Sequence, residues 1–314
     1  MLKSLYQFNP IKSAKGAIKM KICRVKLEHG QTIIAGVADD EQVKSLRHPN
    51  RIIASWEQLI SASAGRKLGE AASEYAARGE TIGAFTELES QGRLLSPLDR
   101  QEVWAAGVTY LRSRVARMEE SDVAASIYDL VYDAERPELF FKATPHRVVG
   151  TGDHIGIRGD SHWNVPEPEL AILLGSDLTP LGFTVCNDVS SRDIEGANPL
   201  YLPQAKVYDR CCAVGPAILL IDELPDTLNL RIECTIKRAG TEVFHGSATT
   251  AQLKRTLPEL VSYLGRYNSF PDGVLLSTGT CIVPPSDFTL QAEDMVEIEI
   301  ESIGRLVNPV KVLD

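Results

Sequence analysis

Two glutamates one residue apart, each preceded by a proline, open the stretch WNVPEPELAILL at residues 163–174. Side chains at i and i+2 of an extended chain point to one side, so Glu167 and Glu169 aim together if residues 165–172 are extended. Pro166 and Pro168 favour that extension, because each fixes its own φ and biases the preceding residue toward β or polyproline geometry. Two adjacent carboxylates repel, and without a cation one of them takes up a proton. A hard divalent ion removes the conflict, and oxygen-only ligands suit Mg²⁺, with Mn²⁺ or Ca²⁺ as substitutes. Asp188, in FTVCNDVSSRD where an apolar run turns polar, is the expected third ligand from a neighbouring strand. The bland alternative is a solvated acidic strand edge; the bracketing prolines and Asp188 weigh against it.

Other chemistries find little support. The six histidines, His29, His48, His146, His154, His162 and His245, form no pair at zinc-site spacing with each other or with cysteine. GTGDHIG at residues 150–156 matches a dinucleotide fingerprint only loosely, since its last glycine is displaced and no helix pattern follows. No P-loop and no G-x-S-x-G elbow is present. Ser247 follows His245 in HGSATT, but sequence neighbours do not make a triad, and strand-end packing is the simpler reading.

The elements that must position the acids are mostly strands. ELFFKAT, ELAILLG, FTVCNDV and VGPAILLID are short apolar runs separated by turn residues. Residues 19–37 suggest a hairpin turning at His29-Gly30, and LNLRIECTIKRAGTEVFHG a second one reversing at Ala239-Gly240. Three- and four-residue spacing of Leu59, Ile60, Leu68, Ala72, Tyr75 and Ala76 predicts helix over 55–79. A further helix is expected from Ser121 through Val123, Ile127, Leu130 and Val131, and a short one at TLPELVSYLGRY. The expected fold class is α+β and β-rich. A boundary near residue 98 divides a small N-terminal mixed domain (1–98, with a tail over 1–18) from a catalytic domain over 99–314.

Bulk properties narrow the partners. The 314 residues are 44% hydrophobic and carry a net charge of −9, which argues against nucleic acid. No apolar run reaches the ~18 residues that would span a membrane. Six cysteines without CxxC spacing, mostly in apolar strand-like segments, fit a reduced, cytoplasmic protein.

Taken in order, NVPEPELAILL, FTVCNDVSSRD, YLPQAKVYDRCCAVGPAILL and LSTGT resemble the fumarylacetoacetate hydrolase superfamily. The resemblance runs from about residue 100 to the end and implies a mixed β-roll, barrel-like catalytic domain, an Mg²⁺ site and a homodimer or homotetramer. It implies metal ligation by Glu167, Glu169 and Asp188. Arg192 and Lys206 match residues near the substrate, and Thr280 a threonine that meets the substrate carboxylate. Glu138 and Lys142, in RPELFFKAT, are expected to face the same site. Text such as RPELFFKATPHRVVG and GANPLYLPQAK is closest to the branch that dehydrates 2-keto-3-deoxy sugar acids, such as 2-keto-3-deoxy-D-arabinonate, to 2,5-dioxopentanoate.

One departure matters. Hydrolases of the superfamily carry a stretch like G-x-N-Y-x-x-H-x-x-E, whose His–Glu pair activates water. Here GVTYLRSRVAR aligns Tyr110 with the tyrosine and puts Ser113 and Ala116 where the pair belongs. Arg112 and Arg114 add positive charge that suits an acidic substrate. A lyase is therefore expected, with hydrolysis of acylpyruvates or related diketo acids as the alternative. Glu138 and Lys206 are the candidate acid and base, and Tyr110, Arg114, Lys142, Arg192 and Thr280 the candidate substrate contacts. The structural alternatives are an ion pair of Lys206 with Asp193 or Asp209 and a surface role for Glu138.

Overall fold

Runs of β-branched and aliphatic residues too short for helices build this molecule largely from strands, and the computed structural model describes residues 20–111, 131–225 and 228–314. A thirteen-stranded sheet runs through Arg51–Ile53, Gln42–His48, Thr32–Val37, Lys21–Lys26, Cys212–Leu220, Pro180–Asp188, Pro168–Leu174, Val274–Thr280, Glu102–Gly107 and Glu138–Ala143, with three short strands off that path. Its central strands are buried along almost their whole length, which explains why they read as continuous apolar runs. Alternate residues serve two cores. Leu170, Ile172, Leu174, Phe183 and Val185 pack with Ile232, Ile236, Val296 and Ile298 of a second sheet. Ala171, Leu173, Cys186 and Val214 pack toward Trp56, Leu59, Ala72 and Tyr75.

The second sheet has five strands, in the order Ile155–Arg158, Gly304–Leu313, Met295–Ile300, Arg231–Arg238 and Thr241–Thr249. Its expected hairpin is present: Ala239 (φ 48°) and Gly240 (φ 80°) make the two-residue turn with both φ positive that matches strand twist. The N-terminal hairpin is also present, Lys21–Lys26 against Thr32–Val37. Both sheets are open, and among the described residues none closes into a barrel. The helical stretch over 55–79 is two helices, Trp56–Ala62 and Leu68–Ala77, because Gly65 at φ 77° breaks the turn pattern between them. Leu257–Leu264 is helical, capped by the Thr256 side chain. The helix expected from Ser121 begins outside the described residues.

Residues 20–98 do not form a sheet of their own. Lys21 and Ile22 pair with Leu219 and Ile218, so the N-terminal strands extend the sheet that carries the acidic cluster. We propose the division near residue 98, in the loop between Leu94–Leu95 and Glu102–Gly107, as a boundary of function within that shared sheet.

Candidate active site

Three neighbouring antiparallel strands bring the acids together. Glu169 pairs with Cys186 on one side and Thr280 on the other, and Asp188 ends the Pro180–Asp188 strand opposite Cys212. Glu167 lies just before its strand, held by its N–H donating to Asn187 Oδ1 (3.0 Å) and its carbonyl accepting from the Asp188 N–H (3.0 Å). One oxygen from each of Glu167, Glu169 and Asp188 falls within 4.8 Å of the others, and the three residues are 3%, 1% and 1% exposed. The solvated acidic edge is thereby excluded.

Among the described residues, cations surround two of these acids and spare the third. Arg192 Nη2 meets Glu167 Oε1 at 2.9 Å, and Lys206 Nζ bridges Glu167 Oε2 (2.8 Å) and Asp188 Oδ2 (3.1 Å). Lys142 Nζ lies 2.5 Å from Asp188 Oδ1, although that oxygen accepts no aligned hydrogen bond. Burial works to lower the Lys142 pKa, but the charge of Asp188, joined by those of Cys211, Tyr208 and Cys212, raises it well above the usual range. Glu169 accepts from Ser277 Oγ (2.5 Å) and the Gly279 N–H (2.8 Å) and pairs with no described cation. Burial, then the charges of Asp188 and Glu167, hold its carboxyl well above the ordinary carboxylate range. A buried acid without a cation, beside an aspartate oxygen that lacks a hydrogen-bond donor, is the set a divalent ion completes. The donors fit Mg²⁺: all are carboxylate oxygens.

Irregularities in the sheet aim the donors. Between the pairs Glu169–Thr280 and Ala171–Ser277 the register slips, which turns the Gly279 N–H toward Glu169. Gly279 sits at φ 98°, and a Cβ there would stand 1.9 Å from Thr109 Oγ1, so only glycine fits. A second slip follows Val103, paired with Ala143, because Trp104 pairs with Phe141; Lys142 is the extra residue of this bulge. Glu138 shares that strand, and its carboxylate lies over Gly107, where a Cβ would come within 2.0 Å of Glu138 Oε2.

The residues singled out in the sequence mostly converge. Lys142, Glu167, Glu169, Asp188, Arg192 and Lys206 share one region through the contacts above; Glu138 lies on the strand of Lys142, two residues before Phe140, whose ring is 5.5 Å from Lys206 Nζ. Tyr110 is 1% exposed, and burial followed by the charges of Cys281 and Glu169 pushes its hydroxyl upward in pKa. The Thr280 hydroxyl turns to backbone, meeting Pro168 O at 3.0 Å and Ile282 O at 3.1 Å. Arg112, Arg114, Ser113 and Ala116 lie outside the described residues. Lys206 does not pair with Asp193, which instead accepts from Ser161 Oγ and the His162 N–H, nor is it paired with Asp209. Three supporting residues escaped sequence reasoning: Ser190, whose Oγ accepts from Lys206 Nζ at 2.6 Å, Ser277 and Asn187. Ser190 and Asn187 stand beside Asp188, and Ser277 inside LSTGT, so proximity to the motifs was their one signal.

An open mixed sheet with a buried carboxylate triad at its strand ends defines a metal-dependent enzyme class rather than a binding scaffold. Residues 102–311 match the family described as "Fumarylacetoacetate (FAA) hydrolase C-terminal", and the chain belongs to that family. It is 52% identical over 214 residues, 68% of this chain and 73% of the other, to the Haloferax volcanii protein named "Probable 2-keto-3-deoxyxylonate dehydratase". It is 49% identical over 223 residues, 70% of this chain and 74% of the other, to the 2-dehydro-3-deoxy-D-arabinonate dehydratase of Saccharolobus solfataricus. Among solved structures, 2-keto-3-deoxy-D-arabinonate dehydratase complexed with magnesium and 2,5-dioxopentanoate superposes with a TM-score of 0.75 at 39% identity, covering 93% of this chain and 99% of that one. The likeness therefore reaches well into the N-terminal strands, beyond the region from residue 100 onward.

Proposed function

We infer that this chain is an Mg²⁺-dependent dehydratase of a 2-keto-3-deoxy sugar acid such as 2-keto-3-deoxy-D-arabinonate, giving 2,5-dioxopentanoate. The observation that carries the reading is the buried triad of Glu167, Glu169 and Asp188 with Lys206 bridging two of its members. Mg²⁺ held by that triad supplies a Lewis acid for the carboxylate and 2-oxo oxygens of the keto acid.

The chain's own groups move the protons. Lys206 Nζ contacts Glu167, Asp188 and Ser190, two of them metal-ligand carboxylates that Mg²⁺ would share, and we assign it as the acid, one of its N–H groups turning from these acceptors to the departing 4-hydroxyl. We assign Glu138, on the strand of Lys142, as the base: it takes the C3 proton while Lys206 protonates the departing 4-hydroxyl, which leaves as water. Such positioned groups contribute on the order of 10²–10⁴-fold each. The unsaturated keto acid then tautomerises through its C5 carbinol to the aldehyde. Arg192, which directly follows the Ser190–Ser191 strand and opens the Arg192–Ala197 helix, keeps Glu167 oriented, and Arg114, Tyr110 and Thr280 are the proposed substrate contacts.

We also propose a homodimer or homotetramer in the cytoplasm. Exposed Leu200 (83%) and Tyr201 (44%), close to the site in sequence, support an interface, and six buried free cysteines support a reducing compartment. Proton NMR of the purified protein with Mg²⁺ and 2-keto-3-deoxy-D-arabinonate tests the activity, with an acylpyruvate in parallel. A five-carbon aldehyde that EDTA abolishes is the expected result; pyruvate from the acylpyruvate alone would make the protein a hydrolase.

A further inference from the structure

Lys142 has an unusual place for a charged residue. It is 0% exposed, and its ammonium has three oxygens within 2.9 Å: Asp188 Oδ1 at 2.5 Å, Lys206 O at 2.6 Å and Val189 O at 2.9 Å. An ammonium carries three N–H groups; two of these donate to fixed backbone carbonyls, and its charge is met by the Asp188 carboxylate, so its contacts are with the protein's own groups. Its flank is closed as well, with Nζ 5.8 Å from the Tyr208 ring centroid. The bulge in the Glu138–Ala143 strand falls at this residue, and bulges re-aim a side chain by locally bending the strand.

The three oxygens belong to three separate parts of the site. One is a metal-ligand carboxylate, one is the carbonyl at the end of the Leu202–Lys206 helix that carries the proposed acid, and one lies in the turn after Asp188. Lys142 itself springs from the strand that carries the proposed base, Glu138. We propose that Lys142 is a positioning residue: it sets the spacing between base, acid and metal ligand and does not touch the substrate. This deepens the dehydratase reading and rests on it. Removing the ammonium would leave the Lys206 carbonyl without this donor, Val189 O with the Tyr208 hydroxyl at 3.4 Å, and one face of Asp188 without its cation, so the groups would relax apart.

The test uses the full-length enzyme and the variants Lys142→Met, which loses charge and donors, and Lys142→Gln, which keeps two donors at similar size. Turnover of 2-keto-3-deoxy-D-arabinonate and Mg²⁺ affinity by calorimetry are measured on each, with folding followed by circular dichroism. Outer-shell partners of a metal site typically cost about 10–100-fold in affinity or activity when removed. We expect a loss of that size in kcat and in Mg²⁺ affinity for Met, a smaller loss for Gln, and a KM unchanged in both. A raised KM with kcat retained would make Lys142 a substrate contact and overturn the proposal. Unchanged kcat and Mg²⁺ affinity, or failure of both variants to fold, would also overturn it, leaving a spectator or a core residue. If the wild type itself does not turn over the keto acid, the dehydratase reading fails separately, and the Mg²⁺ affinities still decide whether Lys142 holds Asp188.

Discussion

Individual side chains at this site divide into those that hold charge and those that move protons. If Glu138 is the base and Lys206 the acid, their losses should differ in kind. Glu138→Gln is expected to stop exchange of the substrate C3 hydrogen with deuterated solvent, whereas Lys206→Met should keep that exchange and lose water elimination. Proton NMR in D₂O separates the two, and loss of exchange in the lysine variant would reverse the roles. Glu169 gives a second expectation. Its carboxyl holds its proton above the ordinary carboxylate range in the metal-free protein, because of burial and then the Asp188 and Glu167 charges. A raised acid pKa means the folded chain binds more protons than the unfolded one, so metal-free stability falls as pH rises from the ordinary carboxylate range through the raised value. Mg²⁺ replaces that proton. Thermal melts should therefore show stabilisation by Mg²⁺ growing with pH, and calorimetry in buffers of different ionisation heat should show proton release on binding; a pH-independent Mg²⁺ effect would remove Glu169 from the ligand set.

At the scale of the element, strand irregularity decides what the site can be. Gly279→Ala should abolish Mg²⁺ binding or folding, since the added methyl meets Thr109 Oγ1 at 1.9 Å and strains a φ of 98° that also orients an N–H on Glu169. Wild-type metal affinity in that variant would mean the bulge is not needed. The same feature explains how far the sequence could be read. Period-two alternation and proline bias were enough to place Glu167 and Glu169 together and to find both hairpins, because those are local rules. The bulges at Lys142 and Gly279 are properties of two strands in register, and no single strand's text records them. That is why Ser277, beside the Gly279 bulge, went unnoticed; residues 55–79 read as one helix instead of two for a different reason, the positive φ at Gly65. The triad itself was legible because its three acids sit in two short motifs whose pairing needs only one antiparallel hairpin.

For the whole molecule, the shared sheet binds the N-terminal third to the chemistry. Lys21–Lys26 covers the flank of Cys212–Leu220, one strand away from Asp188, and Trp56 is 1% exposed with its Nε1 donating to Pro97 O at 2.8 Å. A fragment of residues 99–314 is expected to be insoluble or metal-incompetent, and Trp56→Ala to cost roughly 3–5 kcal/mol in denaturant unfolding. A soluble, active fragment would show that the boundary near residue 98 separates independent units. The cysteines offer a check on the assembled core. All six are buried, and burial pushes the Cys23 and Cys281 thiols up to about 12, so native protein should resist a thiol-specific disulfide reagent until it is unfolded. Fast modification of the native state would contradict that burial. Finally, the Glu138–Ala143 strand is the last on its side of the large sheet among the described residues, and a straight bare edge of that kind invites a stranger's strand. The extra residue at Lys142 breaks its ladder, and the buried ammonium there has no place in a foreign pairing. The bulge proposed to space the proton-moving groups also guards the protein against edge-to-edge aggregation.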